Sequence, residues 1–593
     1  MLNPEQQAAV LEDGHTLVIA LPGSGKTKLS VDKIDRLLSL HPTARVGAVT
    51  FTRDAANELQ KRISKKVGAE RAKRVDVDTF HRHSISQLRA ANRMPNLLSP
   101  AQQFNMALRA RDAAGFPDLR PDQVSRIIEN VKSSIDLTAE TLADEQIYRE
   151  YSKLLDRHNL CDMQDLVRLS LDGMRQGTVE PLNVQFLLVD EFQDTDRVQL
   201  EWVLEHTKRG IIATVVGDDD QSIYGWRHAL GVDGMSHFRS QVKARLITLS
   251  TNYRCHEEIL QRAGNIIVNN PSRISKTLHS HKGRGGKVEV IKTMSREREA
   301  EEIAKRILAS DGKWVTQGTG PDEWQEWQVP PESFAVLTRS NILLRLIAAE
   351  LGANSIAFTL GTSAKDIWAM PPLCHLVGLL DSLAKGTTLG VDNALAWRGI
   401  SEEGLQQVHH AGAGSLNRLL ASPGQIHGLE KKEQDSVIQF LSLLQGWKAQ
   451  LEHGRITLVI GGIKNWLEAT TSKKDLNDLC YGAELLGKRL EGPLASRLRV
   501  ITRKREKTDG TPDSAVQLLT MHGSKGLEFN SVWIAAVDDG TIPSSSRQGD
   551  SPIDEERRLM YVAMTRARQG LTISYATTPS FFLKEAGLIV RDR

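Results

Sequence analysis

Two short stretches carry the residue types that phosphate chemistry requires. Residues 15–27 read HTLVIALPGSGKT: an apolar run, a Gly-rich turn, then Lys26-Thr27 opening the amphipathic segment KLSVDKIDRLLSL. Gly23, Ser24 and Gly25 let successive backbone N–H groups close around phosphate oxygens, and the helix that follows adds its N-terminal dipole. Lys26 supplies charge for β/γ oxygens, and Thr27 a hydroxyl for Mg²⁺. The position five before Gly25 is Ala20, where such cradles usually have glycine. The second stretch, FLLVDEFQD (186–194), ends an apolar run on two carboxylates. Asp190 suits a metal shell, and Glu191 can orient and deprotonate an attacking water. Together the two stretches predict ATP hydrolysis assisted by Mg²⁺.

A third stretch, VGDDDQSIYGWR (216–227), leaves a strand-like run on three aspartates, Gln221, Tyr224 and Trp226. Adjacent carboxylates repel one another, so something elsewhere must compensate them. Asp218 is read as pointing toward the metal; Asp219 and Asp220 have no assignment from sequence. Tyr224 and Trp226 offer faces on which bases can stack without regard to sequence.

Elements must bring these stretches together. Further strand candidates lie at 45–51 (RVGAVTF), 74–80 (RVDVDTF), 211–216, 287–292 (KVEVIK) and 334–341 (FAVLTRSN). Strands alternating with helical segments predict a mostly parallel α/β sheet, whose ligands gather at the strand carboxyl ends. Thr52, Thr79, Asp190 and Asp218 fall there. Arg339 closes the last of these strands, and the resemblance named below makes it a candidate contact to DNA phosphate.

With these motifs the chain resembles the UvrD/Rep/PcrA-type helicases of superfamily 1. LNPEQQAAV resembles their N-terminal glutamine motif, which implies that Gln6 reads adenine. TFTRDAANEL and DTFHRHSISQL resemble segments touching single-stranded DNA, implicating Phe51, Thr52, Thr79 and Phe80. In VGDDDQSIYGWR the resemblance makes Gln221 the γ-phosphate sensor and Tyr224 and Trp226 the stacking platform. In ITLSTNYRCHEEIL it implies that Tyr253 stacks on adenine and Arg254 reaches the γ-phosphate. In VQLLTMHGSKGLEF it turns Thr520 and His522 toward DNA and Glu528 toward the ribose, and in MTRAR it makes Arg566 a second γ-phosphate arginine. The implied architecture is α/β: two RecA-like parallel-sheet motor domains, each interrupted by a largely helical insertion. The expected segments are 1–80 with 186–244, an insertion at 81–185, then 245–344 with 516–593, and a second insertion at 345–515. In the second insertion the aromatic- and arginine-rich sequence expected after Gly361 is replaced by TSAKDIWAMPP, which departs from the usual duplex contact.

Composition agrees with a soluble protein. The 593 residues are 40% hydrophobic and 25% charged, with a net charge of only +3, so affinity for polyanions must come from local patches. KRISKKVGAERAKR (61–74) and RKREK (503–507) are such patches, the first read as a DNA-backbone contact. The Trp-rich stretch 314–332 reads as a loop. Four dispersed cysteines argue against a zinc site or disulfide framework and fit a reducing cytoplasm. No signal peptide is recognised, and no apolar run approaches membrane-spanning length. The leading expectation is a 3′→5′ helicase and translocase acting on single-stranded and 3′-tailed duplex DNA. The alternatives are a DNA-sensing ATPase subunit partnered with a repair or anti-phage nuclease, and an RNA helicase.

Overall fold

The structure is a computed structural model that describes residues 2–98, 100–157, 159–310, 312–317, 325–330, 332–361, 368, 372–421, 426, 431–471, 476–490, 492–502, 515–544 and 553–589. Two six-stranded sheets organise the chain. The first contains β1 (Thr16–Ala20), β2 (Val46–Thr50), β3 (Val75–Thr79), β4 (Phe186–Val189), β5 (Ile212–Gly217) and β6 (Arg245–Leu249) in the order β3-β2-β4-β5-β1-β6. Every neighbouring pair is parallel. Helices cover both faces, so β1, β2 and β4 are buried at every residue and read as near-continuous apolar runs. On one face α2 (Lys26–Leu40) and α3 (Arg53–Val67) bury Ile34, Leu37, Leu59 and Ile63 against Val46 and Leu188. On the other, α4 (Phe80–Ala90), α5 (Met163–Arg175) and α6 (Arg197–Lys208) enclose Trp202 beside Leu88, Leu171 and Leu187. The N-terminal helix α1 (Pro4–Leu11) lies across Val18, Leu29 and Leu249.

The second sheet contains β7 (Lys287–Lys292), β8 (Phe334–Thr338), β9 (Phe358–Leu360), β10 (Val516–Thr520), β11 (Phe529–Ile534) and β12 (Ala567–Tyr575), ordered β7-β12-β11-β8-β10-β9 and again all parallel. One face carries α7 (Asn341–Ala353), the other α8 (Ile553–Met564). The fold class expected from sequence is the one observed.

Four of the expected boundaries move. Residues 81–91 and 161–185 belong to the first domain, because Leu88, Leu166, Leu171 and Met174 sit in its core; the first insertion has a separate core running from Leu98 to Leu155. The first domain continues past 244, because β6 hydrogen-bonds to β1 along its whole length. The second insertion starts after 361, since α7 and β9 build the second sheet. Its core runs from Trp368 and Leu373 to Leu498. The ends of the expected Trp-rich loop pair instead as an antiparallel hairpin, Lys313–Gln317 with Gln325–Val329. The rest of that stretch's tip, RKREK and most of TSAKDIWAMPP lie outside the described residues.

Candidate active site and nucleic-acid interface

The cradle forms where β1 hands over to α2. Gly23 and Gly25 take φ of 65° and 85°, which non-glycine residues adopt at a cost of roughly 1–2 kcal/mol. Space is equally limiting at Gly23: a Cβ there would come within 2.5 Å of the Arg254 Cβ. The loop is held from two sides. Gln6 donates through Nε2 to the Ser24 carbonyl at 2.8 Å. Asn252 donates to the Pro22 carbonyl at 2.6 Å, and the Tyr253 amide donates to the Gly23 carbonyl at 2.9 Å. Asn3, the cap of α1, donates to the Tyr253 hydroxyl at 3.0 Å, so the two residues assigned to adenine stand next to each other through that cap. The Ser24 hydroxyl is buried without a hydrogen-bond partner among the described residues, an unmet polar group that a phosphate oxygen would satisfy.

Across the cleft, Lys26 Nζ lies 2.8 Å from both Glu191 carboxylate oxygens. Burial works against the ammonium, but Glu191 and Asp190 outweigh it and raise the Lys26 pKa. Glu191 sits in the left-handed region at φ 51°, the kind of backbone outlier that clusters at functional sites. Burial pushes its carboxyl up, yet Lys26 and Lys525 reverse this and hold it down to about 2. Gln193 donates to it at 2.6 Å. Asp190, raised to about 6 by burial and by Glu191, accepts from the Glu191 amide at 2.9 Å. Thr27 is half-buried in the first turn of α2. A hydroxyl and a carboxylate that burial disfavours as a bare anion are donors suited to a hard divalent cation.

The second domain reaches this cleft through arginines and one lysine. Arg566, 1% exposed, donates to Val562 and Leu527 carbonyls at 2.8 and 3.2 Å and to Gln221 Oε1 at 3.1 Å. Arg254 donates to Glu528 at 2.7 Å, and Arg568 takes the other Glu528 oxygen. Glu528 is thus bound by two guanidiniums, which leaves its ribose role to depend on one of them moving. Sequence reasoning passed over Lys525 although it stands inside the quoted MHGSKGLEF. Its Nζ donates to Asp194 at 2.5 Å and to the Gln221 carbonyl at 2.7 Å, and stands 5.0 Å over the Tyr224 ring.

The residues expected at DNA divide. Phe51 stacks on Tyr224 with centroids 5.6 Å apart and 11° between planes; Trp226 meets Tyr224 edge-on at 6.3 Å and His522 lies 6.4 Å away. Trp226 is 47% exposed, unusual for so large an aromatic, and Arg227 covers one face at 4.6 Å. Thr52, exposed, caps α3, and Thr79, buried, caps α4; Thr520 accepts from the Gly523 amide at 3.1 Å. Phe80 departs from expectation. It is 3% exposed and packs edge-on against Trp202, so it is a core residue. Arg339 is committed to Glu556, with a shortest contact of 2.7 Å, which cancels the charge a phosphate would seek. The two oxygens of Asp218 are taken by Gln221 and Lys276.

The basic patch at 61–74 also reads differently in three dimensions. It begins in the second half of α3, away from the first turn that follows the carboxyl end of β2. Lys66, Arg71, Lys73 and Arg62 pair with Asp32, Asp35, Glu70 and Glu58, while Arg74 binds backbone carbonyls. Most of its charge is spent within the fold.

Residues 2–243 match the family model for the UvrD/REP helicase N-terminal domain, and residues 247–365 with 473–578 match that for the UvrD-like helicase C-terminal domain. The interval skipped by the second match falls in the second insertion. The ATP-dependent DNA helicase Rep of Salmonella typhimurium is 29% identical, with 97% of this chain and 90% of that protein covered. Rep of Escherichia coli is 28% identical at the same coverage, and the ATP-dependent DNA helicase PcrA of Staphylococcus aureus is 25% identical over 98% of this chain and 86% of its own. With both family models together spanning most of the sequence, the chain belongs to the UvrD/Rep helicase family.

Proposed function

We propose that the protein is a cytoplasmic, ATP- and Mg²⁺-dependent motor that moves 3′→5′ on single-stranded DNA and unwinds 3′-tailed duplexes. The observation that carries this reading is the Arg566–Gln221 contact at 3.1 Å: one side chain from each motor domain, meeting on the segment that also bears Tyr224 and Trp226. Hydrolysis and strand contact would then be altered by the same relative movement of the domains.

In this reading the Gly23–Gly25 loop cradles the phosphates, Gln6 and Tyr253 hold the base, and Glu528 receives the ribose. Glu191, ionised at neutral pH, takes a proton from the attacking water. Lys26, Arg254 and Arg566 balance charge spreading over the transferred phosphoryl oxygens, the role in which an arginine contributes ~10³–10⁵ in rate. Thr27 and Asp190 would hold Mg²⁺, which supplies neutralisation of the β- and γ-phosphate oxygens when bound. Phe51, Tyr224, Trp226 and His522 form the strand platform, with Thr52 and Thr520 on its border. The polarity is inferred from the family resemblance alone.

Strand displacement on DNA and RNA duplexes with 3′ or 5′ tails tests the proposal. Displacement that requires ATP, Mg²⁺ and a 3′ DNA tail is expected. Displacement confined to 5′ tails or to RNA would refute it. Strong stimulation of hydrolysis by DNA without displacement would instead favour a DNA-sensing subunit that works with a partner nuclease.

A further inference from the structure

Three consecutive buried aspartates follow β5, with Asp218 and Asp220 at 0% exposure and Asp219 at 2%. Leaving such carboxylates unpaired in a low-dielectric interior is costly. Their partners come from the segment between the two motor domains. Lys276, itself fully buried, lies 2.6 Å from Asp218, 3.0 Å from Asp220 and against Asp219. Arg273 forks onto Asp220 at 2.6 and 3.0 Å, and the Ile274 amide donates to Asp219 at 2.8 Å. One ammonium with three donors suits three converging carboxylates, whereas a planar guanidinium would not.

This segment touches the machinery at both ends. Upstream, Asn270 donates to the Asp554 carbonyl at 2.9 Å and accepts from Arg557, both at the start of α8, the helix that leads to Arg566. Downstream, His279–Ser280 pairs with Thr251–Asn252, directly before Tyr253 and Arg254. In between, Asp218 divides its oxygens: Oδ1 takes Lys276, and Oδ2 accepts from Gln221 Nε2 at 2.6 Å. An amide whose nitrogen is fixed on a carboxylate must turn its oxygen the other way, and Gln221 Oε1 is the atom that accepts from Arg566.

We propose that Lys276 is a positioning residue for the γ-phosphate sensor: through Asp218 it sets the orientation of the Gln221 amide, and it ties that orientation to the placement of the interdomain segment. The proposal rests on the reading of this chain as a DNA-stimulated ATPase. Lys276 touches no substrate. Its effect is on how strongly DNA accelerates hydrolysis, because it links the sensor to the element that must move when the domains move.

Lys276→Gln alone leaves three aspartates facing one cation, and this variant can fail to fold. The informative variant is Asp219→Asn/Lys276→Gln, which removes one negative and one positive charge and leaves Asp218 and Arg273 in place. Full-length wild type, this double variant and Asp219→Asn alone are compared for melting temperature, oligo(dT) binding by fluorescence anisotropy, and ATP turnover with and without oligo(dT). The double variant is expected to bind oligo(dT) and to keep its DNA-free turnover, while its DNA stimulation falls by about tenfold or more, the scale of a lost charge-assisted hydrogen bond. Asp219→Asn alone should be stimulated normally. An equally stimulated double variant, or equal losses of DNA-free and stimulated turnover, overturns the proposal. A wild type that DNA does not stimulate overturns the underlying reading as well, and so is distinguished from both.

Discussion

Replacing Glu191 with glutamine separates nucleotide binding from chemistry, and the structure says how far each should change. At neutral pH the Glu191 carboxylate is fully ionised, held at about 2 chiefly by Lys26 and Lys525 against its burial. An amide has no basicity, so the whole general-base contribution disappears, ~10²–10⁴ in turnover or about 3–5 kcal/mol of transition-state stabilisation. Binding should survive for two reasons. Asp190 stays, and losing a neighbouring negative charge makes it easier to ionise, since Glu191 is the second cause of its raised pKa. Lys26 also loses a competitor 2.8 Å away and becomes freer for phosphate. The fold should be retained: Gln keeps the shape of Glu, the backbone strain is shared by both, and the pair's side chains, 13% and 25% exposed, are not sealed from solvent. Equilibrium binding of a fluorescent ATP analogue, with phosphate release on the same samples, gives both quantities. Lost binding, or turnover within a few fold of wild type, would refute the assignment of base and metal carboxylate.

Trp226→Ala should weaken oligo(dT) binding by ~1–3 kcal/mol in an anisotropy titration and leave DNA-free hydrolysis intact; Gln221→Ala should keep DNA binding and lose most of the acceleration by DNA. Phe80→Ala, by contrast, should cost ~3–5 kcal/mol in denaturant unfolding because the ring fills the core beside Trp202, with no effect on strand affinity beyond the unfolded fraction. His206 gives a pH signature. Its Nδ1 donates to the Trp202 carbonyl at 2.7 Å and its Nε2 accepts from the Leu182 amide at 3.1 Å, so the folded protein needs the neutral ring. Burial lowers its pKa from 6.5 to about 4, so the unfolded chain gains a proton first as pH falls. Stability is full above about 6.5 and should decline by roughly 3 kcal/mol toward pH 4, a decline that thermal melts of His206→Gln should show much reduced.

The parts legible in sequence were those with local causes. Strands buried on both faces show as apolar runs, and the glycines of the cradle show because backbone geometry and the nearby Arg254 exclude a side chain. What stayed hidden was compensation across long separations. Asp219 and Asp220 meant nothing until Arg273 and Lys276 came back to them from more than fifty residues along the chain. Arg339 looked like a free cation because Glu556 lies 217 residues away. Phe80 sits in a segment that resembles a DNA-contacting motif, and only the position of Trp202 on α6 decides that its ring points into the core. The boundaries slipped for a related reason: helices that look like insertion by position pack on the sheet by their apolar faces.

The segment 216–227 therefore has a physical reason for its odd composition. Its acids anchor the interdomain segment, its amide answers to Arg566, and its aromatics join Phe51 and His522 in the cluster proposed above as the strand platform. Lys525 binds the Gln221 carbonyl and lies over Tyr224, so a residue of the second domain touches the sensor's backbone and the platform's ring at once. A shift of the second domain cannot alter one without the other. Close-packed, fully partnered contacts of this kind change by exchanging partners rather than by stretching. In the proposed reading, strand-dependent acceleration of hydrolysis thus needs no long relay between separate sites: Gln221 and the rings of Tyr224 and Trp226 are a few residues apart, and Arg566 and Lys525 of the second domain hold that segment.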